Sequence, residues 1–303
     1  GRFRQDIVNT VFYLLIITGS SLGLGLFFAV LLDREPPGEN IFQTIFLYPM
    51  ALSFIVTGTI WRWLLTDHGI NAIPKFFGLG GIKFKWVSSD KQILQFNWQN
   101  LPQITAALVG IVILMVAYRT WSKGYKKKGI FFLIPSIILF AYGILGLFVV
   151  SLPPAGLGYK EMHGFNMATW GVILVVVWQY SGYTMALYLA GLRGISEDVR
   201  EAAQLDGCNT IQYYVRIAIP ILKPLTMSAI IILAHISLKM FALVFAVAGP
   251  DNATVSHLSL LMFLKSFRGN NFGQGAVVAM VLFFLTAVFV IPNLIRSYRG
   301  EQG

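Results

Sequence analysis

The stretch ISEDVREAAQLDGCNTIQYYVRIAIPILKP, residues 195–224, is polar and helix-forming, and it lies between two long apolar runs. Ser196 is suited to capping a helix whose first turn carries two acidic residues, which are favourable at the positive helix end. Gly207 is suited to ending that helix, and Asn209 to capping a second one. The stretch therefore predicts two short helices joined by a sharp turn at a membrane surface.

Each of the two helices has a predicted contact face. The first carries small side chains at helical spacing, which suits docking into a groove of another protein. These residues are Val199, Ala202, Ala203 and Asp206. The second has an apolar side formed by Ile211, Tyr214, Val215 and Ile219, and Pro220 and Pro224 are expected to end it. The alternative is a plain connector that folds back on the membrane, which would need neither the alanine pair nor the spaced glycine.

The composition of the whole chain is that of a membrane protein. Of 303 residues, 56% are hydrophobic and 12% are charged, whereas a soluble domain carries about a quarter charged residues. The net charge of +10 comes from basic residues in short loops between apolar runs, which is typical of membrane helices and argues against nucleic-acid binding. The single cysteine, Cys208, excludes an internal disulfide, and we assign it no redox role.

Apolar segments long enough to cross a bilayer recur along the chain, since a span needs about 20 apolar residues in helical form. We predict an all-α integral membrane protein with seven spans and a single transmembrane domain over residues 1–303. The predicted spans are Val11–Leu32, Ile41–Trp61, Leu101–Tyr118, Ile130–Leu152, Met167–Leu192, Leu225–Gly249 and Ala276–Ile295.

A basic cluster sets the predicted orientation, because cytoplasmic loops are enriched in lysine and arginine. It comprises Arg119, Lys123, Lys126, Lys127 and Lys128. If its loop is cytoplasmic, residues 195–224 and the C-terminal tail are cytoplasmic too. Seven spans then place Gly1 outside, and because the chain does not open with methionine, we expect a further span to precede Gly1.

Residues 195–224 resemble the EAA loop of ABC importer permeases. The residues at the family spacing are Glu201, Ala202, Ala203, Gly207, Ile217, Ile219 and Pro220, with Ile219 where the family usually has leucine. In that family the loop forms coupling helices that seat in a cleft of a cytoplasmic ATPase. The resemblance implies the fold of a type I ABC importer transmembrane domain. It also implies ATPase contacts from Glu201, Ala202, Ala203, Asp206, Gly207, Ile217 and Pro220.

Two further blocks, Phe42–Leu65 and Val177–Leu192, resemble the carbohydrate branch of these permeases, and most of all its glucose/mannose and α-glucoside members. The chain departs from that pattern in two ways. The third and fourth predicted spans form an insertion at about residues 75–166 that typical members lack. The usual Gly-Gly-Gly-Pro stretch is reduced to Ala248-Gly249-Pro250, and Ala242 replaces an aspartate often found near its start.

The resemblance implies a multi-pass subunit of the bacterial cytoplasmic (inner) membrane that is not an enzyme. The chain contains no G-x-x-x-x-G-K-[ST] motif, so ATP and Mg²⁺ are expected in a partner ATPase, with no cofactor, metal or catalytic residue here. The implied partners are a second homologous permease, a dimeric cytoplasmic ATPase, an extracytoplasmic sugar-binding protein and membrane lipid. The binding protein is expected to dock on outward loops near residues 67–100 and 251–272.

Candidate cargo contacts are polar and aromatic groups in the fifth and sixth spans, because sugars are bound by hydrogen bonds and ring stacking. They are Gln179, Tyr180, Tyr183, Thr184, His235, Ser237 and Lys239. An ionised lysine within a bilayer costs about 2.5–3.5 kcal/mol, so we expect water, cargo or a partner around Lys239 and its helical neighbour His235. The alternatives are hydrogen bonding between helices for the polar stretch and packing against the sister permease for the two basic residues.

The predicted function is that of a permease subunit forming half of the pathway of an ATP-driven, binding-protein-dependent sugar importer. Of the positions that match cargo contacts in the maltose permease, only Tyr183 keeps its residue type, which favours a different cargo or binding by the partner subunit. Two alternatives stay open: an importer of the same class for another polar solute, such as an amino acid or peptide, and a secondary transporter. A secondary transporter usually carries inverted repeats or midplane acids, and neither is clear here.

Overall fold

The computed structural model describes residues 2–66, 68–78, 85–89, 91–97, 101–122, 126–148 and 162–300. Most of these residues are helical. The chain divides into two compact units: a larger one formed by Arg2–Ile93 and Phe165–Gly303, and a smaller one formed by Leu94–Gly164. A single transmembrane domain over the whole chain stays a prediction.

The elements follow in this order: α1 (Arg2–Leu32), α2 (Glu39–Ala51), α3 (Phe54–Leu64), α4 (Ile73–Phe76), β1 (Gln92–Asn97), α5 (Leu101–Ser122), α6 (Lys126–Phe148), β2 (Met162–Asn166), α7 (Thr169–Arg193), α8 (Glu197–Leu205), α9 (Thr210–Tyr213), α10 (Ile219–Ile221), α11 (Lys223–Lys239), α12 (Phe241–Ala248), α13 (Leu258–Phe263) and α14 (Phe272–Gly300). Short π-helical turns lie at Tyr214–Ala218 and Leu264–Arg268. The strands β1 and β2 pair into a small sheet that the apolar pattern did not predict.

The core of the larger unit is built around α1 and α7, which pack along each other. Val172 and Val176 of α7 are fully buried, as are Tyr13 and Ile17 of α1. The two helices are in close contact at Gly25, where an added Cβ would overlap the Thr184 side chain of α7. Small residues allow such close approach, which stabilises helix pairs in membranes.

The second predicted span, Ile41–Trp61, is interrupted. Helices α2 and α3 meet at an angle of 104°, with Leu52 and Ser53 at the bend. Ser53 has an extended backbone, and its hydroxyl caps α3 by accepting a hydrogen bond from the Val56 amide at 3.3 Å. The bend leaves carbonyl groups at the end of α2 without partners inside the helix, so other side chains can bond them.

The sixth predicted span, Leu225–Gly249, is interrupted as well. Helix α11 ends at Lys239, and α12 begins after Met240. Helix α12 packs against α3 at Gly58, where a Cβ would overlap the Ala246 side chain. Both interruptions depend on contacts between distant parts of the chain, which a window of hydropathy does not contain.

Within the described residues, three helices are long and apolar enough to cross a membrane, or up to five if each bent pair is one span. The three are Arg2–Leu32, Thr105–Ser122 and Thr169–Arg193; the bent pairs are Glu39–Ala51 with Phe54–Leu64, and Thr210–Ile221 with Lys223–Lys239. The fourth and seventh predicted spans correspond to the apolar stretches Ile130–Ile144 of α6 and Phe272–Val288 of α14. Apolar helices or bent helix pairs thus lie at the positions of the seven predicted spans with different bounds, and α1 begins earlier than predicted, at Arg2.

The smaller unit contains the predicted inserted helix pair. Helices α5 and α6 pack tightly, because Gly110 lies against the Phe140 backbone and Gly143 against Ala107. Their outward faces carry exposed apolar side chains such as Val112 (58%). The predicted end of the fourth span, residues 149–152, lies outside the described residues.

Candidate coupling and translocation sites

The coupling segment (residues 195–224) folds as the predicted pair of helices joined by a sharp turn. Gly207 ends α8 with a φ of 78°, a conformation that favours glycine. The amide of the following residue donates to the Ala203 carbonyl at 2.9 Å, which completes the helix end. Asn209 and Gln212 then cap α9 reciprocally, each side chain accepting from the other's backbone amide at 2.8 and 3.0 Å.

Three predicted details of this segment are corrected. Ser196 has the extended backbone of an N-cap, but its side chain makes no capping hydrogen bond. Pro220 lies in the first turn of α10 and does not end the preceding helix; the chain instead bends by 68° at Leu222. Tyr214 does not share an exposed apolar side with Ile211, because its ring is buried (8% exposed) while Ile211 is 74% exposed.

The surface of the coupling segment combines charge with exposed apolar groups. Glu201, Ala202, Asp206 and Gly207 are exposed and Ile217 is half-buried, while Ala203 is buried, so the predicted small-residue face is divided between two sides of α8. Leu205 exposes 89% of its surface next to this acidic face. Large apolar side chains with so much exposure, in a group, mark a surface that contacts another protein or the membrane.

The coupling segment is tied to the end of α1 by one carboxylate. The side chain of Asp33 is 1% exposed and directly follows the last residue of α1. It accepts hydrogen bonds from the Tyr214 hydroxyl at 2.6 Å and from Arg200 Nη2 at 3.2 Å. The Arg200 guanidinium also lies 5.4 Å from the centre of the Tyr213 ring, a cation–π distance. A single buried group therefore bonds both halves of the coupling segment.

The electrostatics of this contact favour the ion pair. Partial burial is the largest single influence and acts to lower the pKa of Arg200, but the Asp33 carboxylate, Tyr213 and Glu197 together outweigh it, so this pKa lies above its ordinary value. A polar cavity of about 470 Å³ adjoins the pair and is bordered by Arg34, Gln204 and Cys208. Water can therefore reach the Arg200 side chain, while the Asp33 carboxylate stays buried. Because a buried carboxylate depends on its hydrogen-bond partners, these bonds are specific to this arrangement of the helices.

The predicted polar stretch of α7 uses much of its hydrogen-bonding capacity inside the protein. Gln179 donates to the Leu52 carbonyl at 3.1 Å, in the bend between α2 and α3. The Thr184 hydroxyl lies 2.7 Å from the Ser21 carbonyl of α1. Tyr183 is half-buried. The Gln179 Oε1 is buried, and no hydrogen-bond donor reaches it from the part of the chain that the structure describes.

The candidates of the sixth span fall into two groups. Ser237 is fully buried and bonds the Leu233 carbonyl of its own helix at 2.8 Å. His235 and Lys239 are exposed and border a cavity of about 430 Å³ between α11, α13 and α14. Most of its other lining groups are apolar, and no acidic residue is among the described residues that line it.

The remaining candidate, Tyr180, belongs to α7 in the fifth span. It is buried, and its ring centre lies 6.3 Å from that of Phe54.

Asp33 was not among the residues predicted to function. The sequence shows it as the first charge after a long apolar run, and in that position an aspartate is usually an ordinary helix boundary. Only the folded chain brings it to Tyr214 and Arg200, which are more than 160 positions away in sequence. Two sequence features together could have identified Asp33. It is an acidic residue at the end of a membrane helix in a chain with few acidic residues, and the predicted surface helix contains an arginine able to pair with it.

Together, the helical membrane architecture and the surface helices of the coupling segment are those of a transmembrane transport subunit. The chain belongs to the family described as binding-protein-dependent transport system inner membrane component, whose model matches residues 129–298. It is therefore a membrane-embedded transport component, and the predicted class of permease is confirmed. The match includes the whole coupling segment.

Known proteins agree with this assignment over nearly the full chain. A probable ABC transporter permease of Pyrococcus horikoshii is 29% identical over 99% of this chain and 78% of its own length. A xylose/arabinose import permease of Haloferax volcanii is 28% identical over 96% and 69%. A bacterial ABC transporter that imports the acidic polysaccharide alginate has a similar fold, with a TM-score of 0.62, 15% identity and coverage of 99% and 80%. The predicted importer fold is thus confirmed.

Proposed function

We propose that this chain forms half of the translocation pathway of an ATP-driven sugar importer and receives force through the coupling segment. A second, homologous permease would complete the pathway, and a dimeric ATPase on the cytoplasmic side would bind ATP and Mg²⁺. An extracytoplasmic sugar-binding protein would deliver the cargo. In a bacterium the complex would lie in the cytoplasmic (inner) membrane.

The observation that carries the proposal is the exposed surface of the coupling segment. The exposed Glu201 and Asp206 lie close along the chain to Leu205, which is 89% exposed, and Ile211 of α9 is 74% exposed. An apolar contact with a charged rim is the arrangement of specific protein interfaces. A segment that only reconnected two membrane helices would gain nothing by holding leucine and isoleucine in water.

Sugar as the cargo is supported by relatives and by the groups left available in the larger unit. The Haloferax relative is an import permease for xylose and arabinose. Near the α2–α3 bend, Gln179 Oε1 lacks a donor among the described residues, and the rings of Phe54 and Tyr180 lie close by. A sugar hydroxyl can donate to an amide oxygen, and its C–H face can stack on an aromatic ring.

The mechanism that follows is alternating access by rigid-body movement. Closure of the ATPase dimer on ATP would draw the two coupling segments together and open the pathway to the binding protein. Hydrolysis would separate the segments and open the pathway to the cytoplasm. In this scheme Glu201 and Gly207 serve the contact with the ATPase and do not contact cargo.

A reconstituted system tests the proposal. The chain is purified with the sister permease, both ATPase subunits and the binding protein, and uptake of radiolabelled xylose, arabinose, maltose, trehalose, glutamine and a tripeptide is measured in proteoliposomes with enclosed ATP. We expect uptake of at least one of the sugars and none of the amino acid or peptide. Uptake of glutamine or the tripeptide alone would contradict the cargo class.

A variant that carries both Glu201→Lys and Gly207→Pro tests the route of coupling. We expect loss of uptake while the chain still assembles with the sister permease, because both changes are confined to the exposed face and the turn of the coupling segment. The matched control is Glu35→Lys, which makes the same charge change at an exposed carboxylate outside the coupling segment. Normal uptake by the double variant would contradict the proposed route.

A further inference from the structure

Helix α1 is held by buried polar contacts at both of its ends. It contains 31 residues, which corresponds to a rod of about 46 Å at the rise of an α-helix. That length exceeds the hydrocarbon thickness of a bilayer, about 30 Å. A helix fixed at two ends on opposite sides of a membrane is a candidate for carrying movement from one side to the other.

At one end, Asp33 joins α1 to both halves of the coupling segment through Tyr214 and Arg200. Apolar contacts reinforce this joint, because Ala29 and Leu32 of α1 share a buried cluster with Ala203 and other residues of the coupling segment. Removing one partner from a buried, hydrogen-bonded charge leaves the other uncompensated, which is far more costly than breaking a surface pair. The joint therefore resists separation of α1 from the coupling segment.

At the other end, α1 bonds the backbone of the outer loop (residues 249–257), which connects α12 to α13. The side-chain amide of Asn9 donates to the carbonyls of Ser256 at 2.7 Å and Thr254 at 3.0 Å. The Tyr13 hydroxyl donates to the Val255 carbonyl at 2.9 Å. Asn9 and Tyr13 are fully buried. Three consecutive carbonyls of the loop are thus fixed by two side chains of α1.

Between its ends, α1 is locked to α7. The Thr184 hydroxyl bonds the Ser21 carbonyl at 2.7 Å, and Gly25 leaves no space between the helices at the same level. Packed interfaces of this kind shift between discrete arrangements and do not deform continuously. Sliding of α1 along α7 would break this bond.

We propose that α1, the coupling segment and the outer loop move as one rigid body, with Asp33 as the joint that makes α1 follow the coupling segment. The inference rests on the proposed function, because the movement is supplied by a partner ATPase. It adds two statements to that function. Force reaches the outer loop through α1, and Asp33 is a positioning residue for coupling. A purely local role for Asp33 would fix the fold of the coupling segment but would not link it to the outer loop.

Distance measurements test the rigid body without knowledge of the cargo. The complete complex carries spin labels at Arg216→Cys in the coupling segment and Ala253→Cys in the outer loop, both exposed positions, in a Cys208→Ser background. We expect the distance between the labels to agree within about 2 Å before and after trapping with Mg-ATP and vanadate. A change of about 5 Å or more, the size of a one-turn helix shift, would overturn the proposal.

The variant Asp33→Ala tests the joint. We expect the trapped distance to shift or broaden by at least about 5 Å while vanadate-sensitive ATP hydrolysis continues, so that uptake per ATP hydrolysed falls. Asp33→Asn keeps an oxygen that can accept from Tyr214 and should restore a narrow distance. Glu35→Ala, which removes an exposed carboxylate in the loop that follows α1, is the control and should behave as the unmodified chain. A narrow, unshifted distance in Asp33→Ala would overturn the proposal.

A second pair of variants serves if Asp33→Ala does not fold. Tyr214→Phe removes the 2.6 Å bond alone, and Asn9→Ala removes the bonds at the far end. Each should broaden the distance, and unchanged narrow distances in both would overturn the inference. A further label pair, Arg216→Cys with the matching position of the sister permease, reports closure. Closure with a variable Arg216–Ala253 distance refutes only the rigid body, whereas absence of ATP-dependent closure refutes the proposed function as well.

Discussion

The coupling segment and the polar stretch of α7 look similar in sequence, since each places polar residues between apolar runs, but the structure uses them differently. Thr184 is fully buried and bonds a backbone carbonyl of another helix. Glu201 and Leu205, by contrast, face outward. A polar residue in a membrane protein is therefore a good candidate for recognition where its groups stay unbonded or exposed, and a poorer one where helix packing has already used them.

The largest expected effect on stability lies in α7, at Gly182. A methyl group at this position would overlap the carbonyl of Phe46 in α2. Overpacking typically costs about 1–3 kcal/mol, and here backbone must move, so Gly182→Ala should destabilise the chain by about 3 kcal/mol. Thermal unfolding of the purified complex in detergent measures it. Gly23→Ala is the control, because no atom lies within 4 Å of an added Cβ there. Equal melting temperatures for the two variants would contradict the packing described.

A smaller effect is expected at the cap of α9. Asn209→Ala removes the side chain that accepts from the Gln212 amide, and loss of such a cap costs about 1 kcal/mol. Ser196→Ala is a matched control, because Ser196 occupies the same position before α8 without making a capping bond. Unfolding curves of the two variants should therefore differ. An equal loss of stability in both variants would mean that the Ser196 side chain does cap α8.

A still smaller effect is expected at Thr184. This residue gives the most direct test of the difference between the polar stretch of α7 and the coupling segment. Thr184→Val keeps the shape of the side chain and removes its bond to the Ser21 carbonyl, and such bonds between membrane helices contribute about 0.6 kcal/mol on average. Uptake should be unchanged once the protein is folded. Thr59→Val is the control, since that exposed hydroxyl bonds only its own helix. If Thr184→Val lowers the apparent affinity for cargo in uptake assays at unchanged stability, Thr184 belongs to the pathway.

The smallest effect on stability is expected on the exposed face of the coupling segment. Leu205→Ser should change the free energy of unfolding by no more than about 0.5 kcal/mol, because the side chain is 89% exposed. The same variant should retain less ATPase when the complex is purified. Leu24→Ser, at an exposed position of α1 (41%), is the comparison for loss of apolar surface alone. Full retention of the ATPase by Leu205→Ser would remove the distinction between the two regions.

Much of the fold follows from sequence because each signal is local. The apolar runs, Gly207 and the Asn209 cap depend on neighbours within a few residues, and the structure contains all of them. The bend at Leu52 and Ser53 and the helix interruption at Met240 fall within apolar runs, so the apolar pattern missed them. The roles of the coupling and cargo residues are carried from resemblance and stay predictions.

The missed parts of the site are long-range for a physical reason. Asp33 is a functional candidate only because folding buries it against two groups of the coupling segment, and burial of a charge is a property of the whole fold. Ser196 shows the reverse case, in which a residue of the right type occupies the right position and makes no bond. Residue type at a position predicts what a side chain is able to do, and the contacts determine whether it does so.

The tight fit of α1 against α7 has a consequence for biosynthesis. Roughly 130 residues separate the end of α1 from the start of α7, and at about 5–20 residues per second a ribosome needs on the order of ten seconds to make them. During that interval the groove at Gly25 and the carbonyl of Ser21 have no partner from α7. The inserted helix pair lengthens this interval, so the first helix is made well before the helix that fills its groove.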